Sequence, residues 1–160
     1  MTCLSKNPAN PETDAEPPWL SLKAWARRRY GRPLFRIPVD PGWGCPHRRP
    51  GTTGDGCAFC AEDSGRARQL TGADGIGDQV DQAVAFTRQR YGEGALQLYV
   101  QAYTATFTTV DRLRALVEPL LARHEFRSLS LGTRPDCLPE PMLDHLAAWN
   151  ARLEVWVELG

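Results

Sequence analysis

"FRSLSLGTRPDCLPEPMLDHLAAWNARLEVWVELG" runs from Phe126 to Gly160. It reads as strand, helix, strand. "FRSLSLG" (Phe126–Gly132) is short, apolar on alternate positions and closed by glycine. "PEPMLDHLAAWN" (Pro139–Asn150) opens with prolines, which a helix accepts in its first turn. "LEVWVELG" (Leu153–Gly160) is a second strand. Two strands joined through a helix are the repeating unit of a parallel sheet, because a parallel return needs a long crossover.

The same unit extends backwards. "LFRIPVD" (Leu34–Asp40) reads as a strand. Asp74 to Tyr91 carries Ile76, Val80, Ala83, Val84, Thr87 and Tyr91 at helical spacing, with Gly92 as the stop. "ALQLYVQAY" (Ala95–Tyr103) alternates and reads as a strand. Thr109 then caps a helix whose apolar stripe is Val110, Leu113, Leu116, Val117, Leu120 and Leu121. Pro119 inside it is expected to kink or shorten it. Trp19 to Tyr30 adds a leading helix, stopped near Gly31 and Pro33. The order β-α-β-α-β-α-β predicts an α/β fold with a parallel sheet. A chain that stops directly after an apolar strand leaves an open edge. We expect about half of a larger α/β barrel, whose full form is typically about 250 residues.

Composition sets outer limits. The chain has 160 residues, 42% of them hydrophobic, as in a globular protein with one core. No apolar run reaches the roughly 20 residues of a membrane helix, so no membrane partner is expected. "MTCLSKNPANPETDAEPPW" lacks the pattern of a signal peptide; residues 1–17 read as a disordered tail and 18–160 as the core domain. Lys and Arg number 19, as do Asp and Glu, so the overall charge says nothing of a nucleic-acid partner. Five cysteines without a secretory signal argue against a disulfide framework and for a cytoplasmic metal or redox site.

Three of those cysteines lie in "GCPHRRPGTTGDGCAFCAEDSG" (Gly44–Gly65), at Cys45, Cys57 and Cys60. Thiolate is the soft ligand that zinc and iron–sulfur clusters share. Gly51, Gly54 and Gly56 let the backbone curl around a metal. Three thiolates leave a fourth position open; zinc completed by His47 is the alternative metal reading, and three unconnected thiols the plain one. The loop follows the first strand on the carboxyl end, where barrel sites lie. Cys137 and Cys3 read as a packed cysteine and a tail cysteine. His124 and His145 read as surface or helix-end residues.

The cluster, with Phe59 before its last cysteine, resembles the radical S-adenosylmethionine (SAM) superfamily. "RRYG" (Arg28–Gly31), "CPHR…GTTGDGCAFC", "QAYTATF" (Gln101–Phe107), "GTRPDC" (Gly132–Cys137) and "VWVELG" (Val155–Gly160) together resemble its YhcC-type members, relatives of the Elongator catalytic subunit. Those members share the long gap between the first and second cysteines. The likeness covers Trp19 to Gly160. It implies the first four strands of a (β/α)6 TIM-like barrel and a [4Fe-4S] cluster on Cys45, Cys57 and Cys60. The cluster's open iron would chelate SAM. It further implies SAM cleavage to a 5′-deoxyadenosyl radical, a reductant such as a flavodoxin or ferredoxin, and a substrate that kinship extends to RNA.

Site roles follow from the same likeness. Phe59 would pack near the adenine. Gln101, Tyr103 and Thr104 stand where the family binds the methionyl amino group, with barrel-lining packing as the alternative. Arg134 pairs the SAM carboxylate or braces its loop against Asp136. Glu158 meets the SAM ammonium or ribose, or pairs Arg134 across the barrel. Lys23, Arg27, Arg28, Arg29, Arg32 and Arg36 form a basic run, read as a solvated face or as a phosphate-backbone contact. A zinc module and an inactive fragment of such an enzyme are the rival functions.

Overall fold

Four parallel strands lie side by side in chain order, β1 (Leu34–Val39), β2 (Ala95–Val100), β3 (Phe126–Thr133) and β4 (Glu154–Leu159). Four helices join and precede them: α1 (Leu22–Tyr30), α2 (Ile76–Tyr91), α3 (Val110–Arg123) and α4 (Glu140–Asn150). This computed structural model describes residues 19–48, 56–58, 60 and 75–160. The calls on residues 1–17, Phe59 and Asp74 fall outside them.

Local chemistry sets most boundaries. The first helix starts at Leu22 rather than Trp19, because the Ser21 side chain accepts from Ala24 N at 3.1 Å and so caps it. Gly31, at φ 71°, ends it by donating its N–H to Arg27 O. Thr109 caps α3 through the Arg112 amide. The expected shortening at Pro119 does not occur: α3 runs as one helix to Arg123. Its buried stripe, Leu113, Val117 and Leu120, straddles the proline and ties both halves to one core. That burial outweighs one lost backbone hydrogen bond. The second strand ends at Val100, short of Tyr103, because the chain turns at Tyr103 into the left-handed region (φ 57°).

Alternation along each strand divides the sheet into two unlike faces. Ile37, Val39, Leu96, Leu98, Val100, Leu129 and Leu131 form one core with Val80, Ala83 and Val84 of α2, Leu113, Val117 and Leu120 of α3, and Met142, Leu146 and Trp149 of α4. The other face carries Arg36, Gln97, Tyr99, Ser128, Ser130, Glu154, Trp156 and Glu158, as the register requires. Helix α1 crosses the amino-terminal part of this polar face. There Trp25 meets the Trp156 ring edge-on at 4.8 Å, and the Tyr30 hydroxyl donates to Glu154 Oε2 at 2.5 Å. Burial, reinforced by that carboxylate, pushes the Tyr30 phenol up to about 12.

The polar face is curved. In register Arg36 is level with Glu154, so Glu158 lies three strand spacings across and four residues further along, about 19 Å away on a flat sheet. Yet Arg36 Nη2 of β1 lies 2.5 Å from Glu158 Oε1 of β4. The sheet therefore curls toward this face, and the Arg36 guanidinium lies 4.7 Å from the centre of the Tyr99 ring between them. Among the described residues, no helix is long and apolar enough to cross a membrane.

Candidate metal and cofactor site

All the chemistry-bearing loops leave the carboxyl ends of the strands, and their backbones are tied to one another. The first is fixed by Asp40, whose Oδ1 accepts from Gly42 N at 2.8 Å, while Asp40 N donates to Gln79 Oε1 of α2. Gly42 and Gly44 then adopt positive φ, 71° and 77°, turning the chain toward the cysteines. Thr104 N donates to Gly44 O, Ala105 N to Gly132 O, and Gly160 N to Thr133 O. Four loops are thereby held as one rim.

Those loops enclose a cavity of ≈ 220 Å³. Cys45, Cys57 and Cys60 line it, together with Gln101, Tyr103, Thr104 and Arg134. Seven residues assigned from sequence thus meet in one place. The three cysteines share the cavity wall, but among the described residues no group of three His, Cys, Asp or Glu is gathered around a single ion position. In kind the donors suit a soft metal: three thiols, on a loop that turns back on itself at Arg48 N to Cys45 O and at Cys60 N to Cys57 O.

Cys57 is the best-defined of the three. His47 Nδ1 lies 3.3 Å from its sulfur, and Arg134 Nη1 lies 4.0 Å away and donates to it. Arg134 is also forked onto Asp136, Nε to Oδ1 at 2.9 Å and Nη2 to Oδ2 at 3.1 Å. The hydrogen bond to Asp136 raises the Arg134 pKa further and lowers that of Asp136, so the pair is ionised. The local brace expected as an alternative is therefore present, alongside a contact to the thiol.

Glu158 takes other partners than the arginine expected across the barrel. It does not reach Arg134. Pairing of Gly132 with Glu158 turns its carboxylate onto the polar face, below the rim. There it accepts from Arg36, from the Tyr99 hydroxyl at 3.0 Å and from Ser130 Oγ at 3.1 Å. The Tyr99 phenol is raised by burial first and by Glu158 second. Because Tyr99 also lines the cavity, Glu158 touches the site through it.

Sequence reading missed several cavity residues. Tyr99 was legible in principle, two positions before Gln101 on the same face of an alternating strand. Arg48, whose guanidinium lies 5.4 Å from the Tyr103 ring centre, gave no such signal. Nor did the strained Tyr103 backbone, which costs a non-glycine residue on the order of 1 kcal/mol. Cys137 is buried as expected, its thiol pushed up by burial. His124 is the residue that ends α3, as expected. His145 is not at a helix end: it sits inside α4, its ring 4.3 Å from Trp149 and its Nε2 buried.

Known proteins extend the picture. The chain is 31% identical to YtqA of Bacillus subtilis over 157 residues, which is 98% of this chain and 49% of that protein. It is 34% identical to YhcC of Escherichia coli over 140 residues, 83% of this chain and 42% of that one. MJ0486 of Methanocaldococcus jannaschii gives 31% over 139 residues. These likenesses support a YhcC-like family for this chain. The chain spans about half the length of the curated relatives it matches. No family model matches, and no solved structure matches.

Proposed function

We propose that the rim cavity is the cluster and cofactor site of a radical SAM enzyme. One observation carries this reading: Cys45, Cys57 and Cys60 line a single cavity at the carboxyl ends of parallel strands, beside Gln101, Tyr103, Thr104 and Arg134. The YhcC-like relatives fit the resemblance of the motifs. Cys45, Cys57 and Cys60 would hold a [4Fe-4S] cluster. Bound with SAM, such a cluster supplies one-electron cleavage of the sulfonium C5′–S bond and a 5′-deoxyadenosyl radical that abstracts hydrogen from substrate. The protein's part is to orient and enclose. Thr104 and the loop backbones offer polar contacts, and Tyr99 supports the floor from Glu158.

The same reading takes the sheet as the first four strands of a (β/α)6 barrel. Chain-order strands, helices α2 to α4 packed on one face, and a polar face curled inward by the Arg36–Glu158 pair support it. Remaining strands would come from the part of the relatives that this chain does not span. A cytoplasmic reductant of the flavodoxin or ferredoxin kind, and RNA as a substrate, belong to the proposal by kinship.

Anaerobic reconstitution with iron and sulfide tests it. A brown protein that releases 5′-deoxyadenosine from SAM under a strong reductant is the expected result, and Cys57→Ala abolishes both colour and product. A colourless protein that binds zinc overturns it. The 3.3 Å approach of His47 to Cys57 favours that second reading, a Cys₃His zinc site. His47→Ala separates the two, losing zinc but not a three-cysteine cluster.

A further inference from the structure

We propose that Arg134 is a positioning residue that sets the reduction potential of a cluster held by Cys57, and that Asp136 holds it in that role. The inference rests on the cluster reading above. The local sequence explains the device. Pro135 restricts the residue before it to extended backbone, and Arg134 sits at φ −113°, ψ 147°. A turn of 3-10 helix over Pro135–Cys137 then brings Asp136 back onto Arg134, with Cys137 N bonded to Arg134 O at 3.0 Å. The carboxylate takes Nε and Nη2 of the guanidinium. That fork fixes the plane and leaves Nη1 directed at Cys57 Sγ, 4.0 Å away. The arginine side chain is 25% exposed, so water screens it only partly.

The physics follows from charge. Reduction by one electron from an external donor adds a negative charge to the cluster and its thiolates. A fixed cation that donates to a ligating sulfur stabilises that added charge, and the potential rises. His47 approaches the same sulfur from the loop's own side, but only Arg134 is clamped by an ion pair. Lysine would keep the charge and lose the fork, since one ammonium cannot hold both Asp136 oxygens in a plane while addressing the sulfur.

The experiment is a potentiometric titration of the reconstituted full chain, with the reduced cluster counted by electron paramagnetic resonance. Wild type, R134Q, R134K and D136E are compared at equal iron and sulfide content. At a fixed ambient potential R134Q should hold about tenfold less reduced relative to oxidised cluster than wild type, which is about 59 mV for one electron. D136E, which keeps the carboxylate's charge but displaces the fork, should shift the same way by less, and R134K should fall between R134Q and wild type. An R134Q cluster that titrates with wild type overturns this inference and leaves the cluster reading intact. If R134Q assembles no cluster, R134K and D136E decide, and wild-type potentials in both overturn it. A wild-type chain that takes up no cluster overturns the cluster reading and this inference with it.

Discussion

Gly94 shows how one position can fix the geometry of a sheet. A Cβ there would lie 2.8 Å from Pro33 O and 2.6 Å from Cδ2 of Phe35. The carbonyl cannot yield, since it accepts from Ala95 N at 2.8 Å, the bond that starts the β1–β2 pairing. Gly94→Ala should therefore destabilise by about 2 kcal/mol, the usual cost of overpacking, read as a lower urea midpoint with unchanged slope. Asp81 makes a different kind of contribution. It accepts from Arg123 Nε at 3.2 Å and pairs with His124 Nε2 at 2.7 Å, joining α2 to the end of α3. The Arg123 hydrogen bond first, and His124 second, hold its carboxyl at about 2. A depressed folded pKa stabilises above the unfolded value and is lost as pH falls through the folded one. Asp81→Asn should lower the melting temperature slightly at neutral pH, and its gap from wild type should close between about pH 4 and pH 2. A gap that persists at pH 2 would mean that Asp81 acts through packing instead.

Elements were more legible than their ends, and α3 shows why. Its stripe at Leu113, Val117 and Leu120 is a periodic signal, and all three residues are buried in the core. Leu113→Ala should cost about 3 kcal/mol in chemical unfolding, because the site is wholly enclosed by strands and helices that cannot collapse onto it. Pro119 is a local signal of the opposite sign, and the stripe overrides it; propensity is a weak prior against burial. Strand β2 was over-extended because alternation continues through Gln101 and Tyr103, while the left-handed turn that ends it leaves no mark in a tyrosine. The site divides in the same way. Cysteines, Thr104 and Arg134 were legible because their types are rare or their motifs local. The Arg36–Glu158 pair depends on register between strands far apart in sequence, which periodicity cannot supply.

At the scale of the molecule, the sheet is unequal from centre to edge. Strands β2 and β3 have neighbours on both sides, whereas β1 and β4 each have one among the described elements. Ile37, Leu98 and Leu129 are fully buried, but Val157 and Leu159 on the helix-side face of β4 are exposed. Burial and pairing therefore fall away from the middle toward β4, and local opening should follow the same gradient. Amide hydrogen exchange on the chain at low concentration should find the amides of Leu98, Val100, Leu129 and Leu131 the slowest, near the global unfolding limit. Amides of β4 should exchange at least tenfold faster, because an edge strand can fray without opening the core formed by α2, α3 and the two central strands. Repeating the measurement at high concentration separates two causes of any protection at β4. Protection that grows with concentration means that the free edge pairs with a second copy, the hazard an exposed strand carries. Protection equal to that of β3 at every concentration would contradict the gradient.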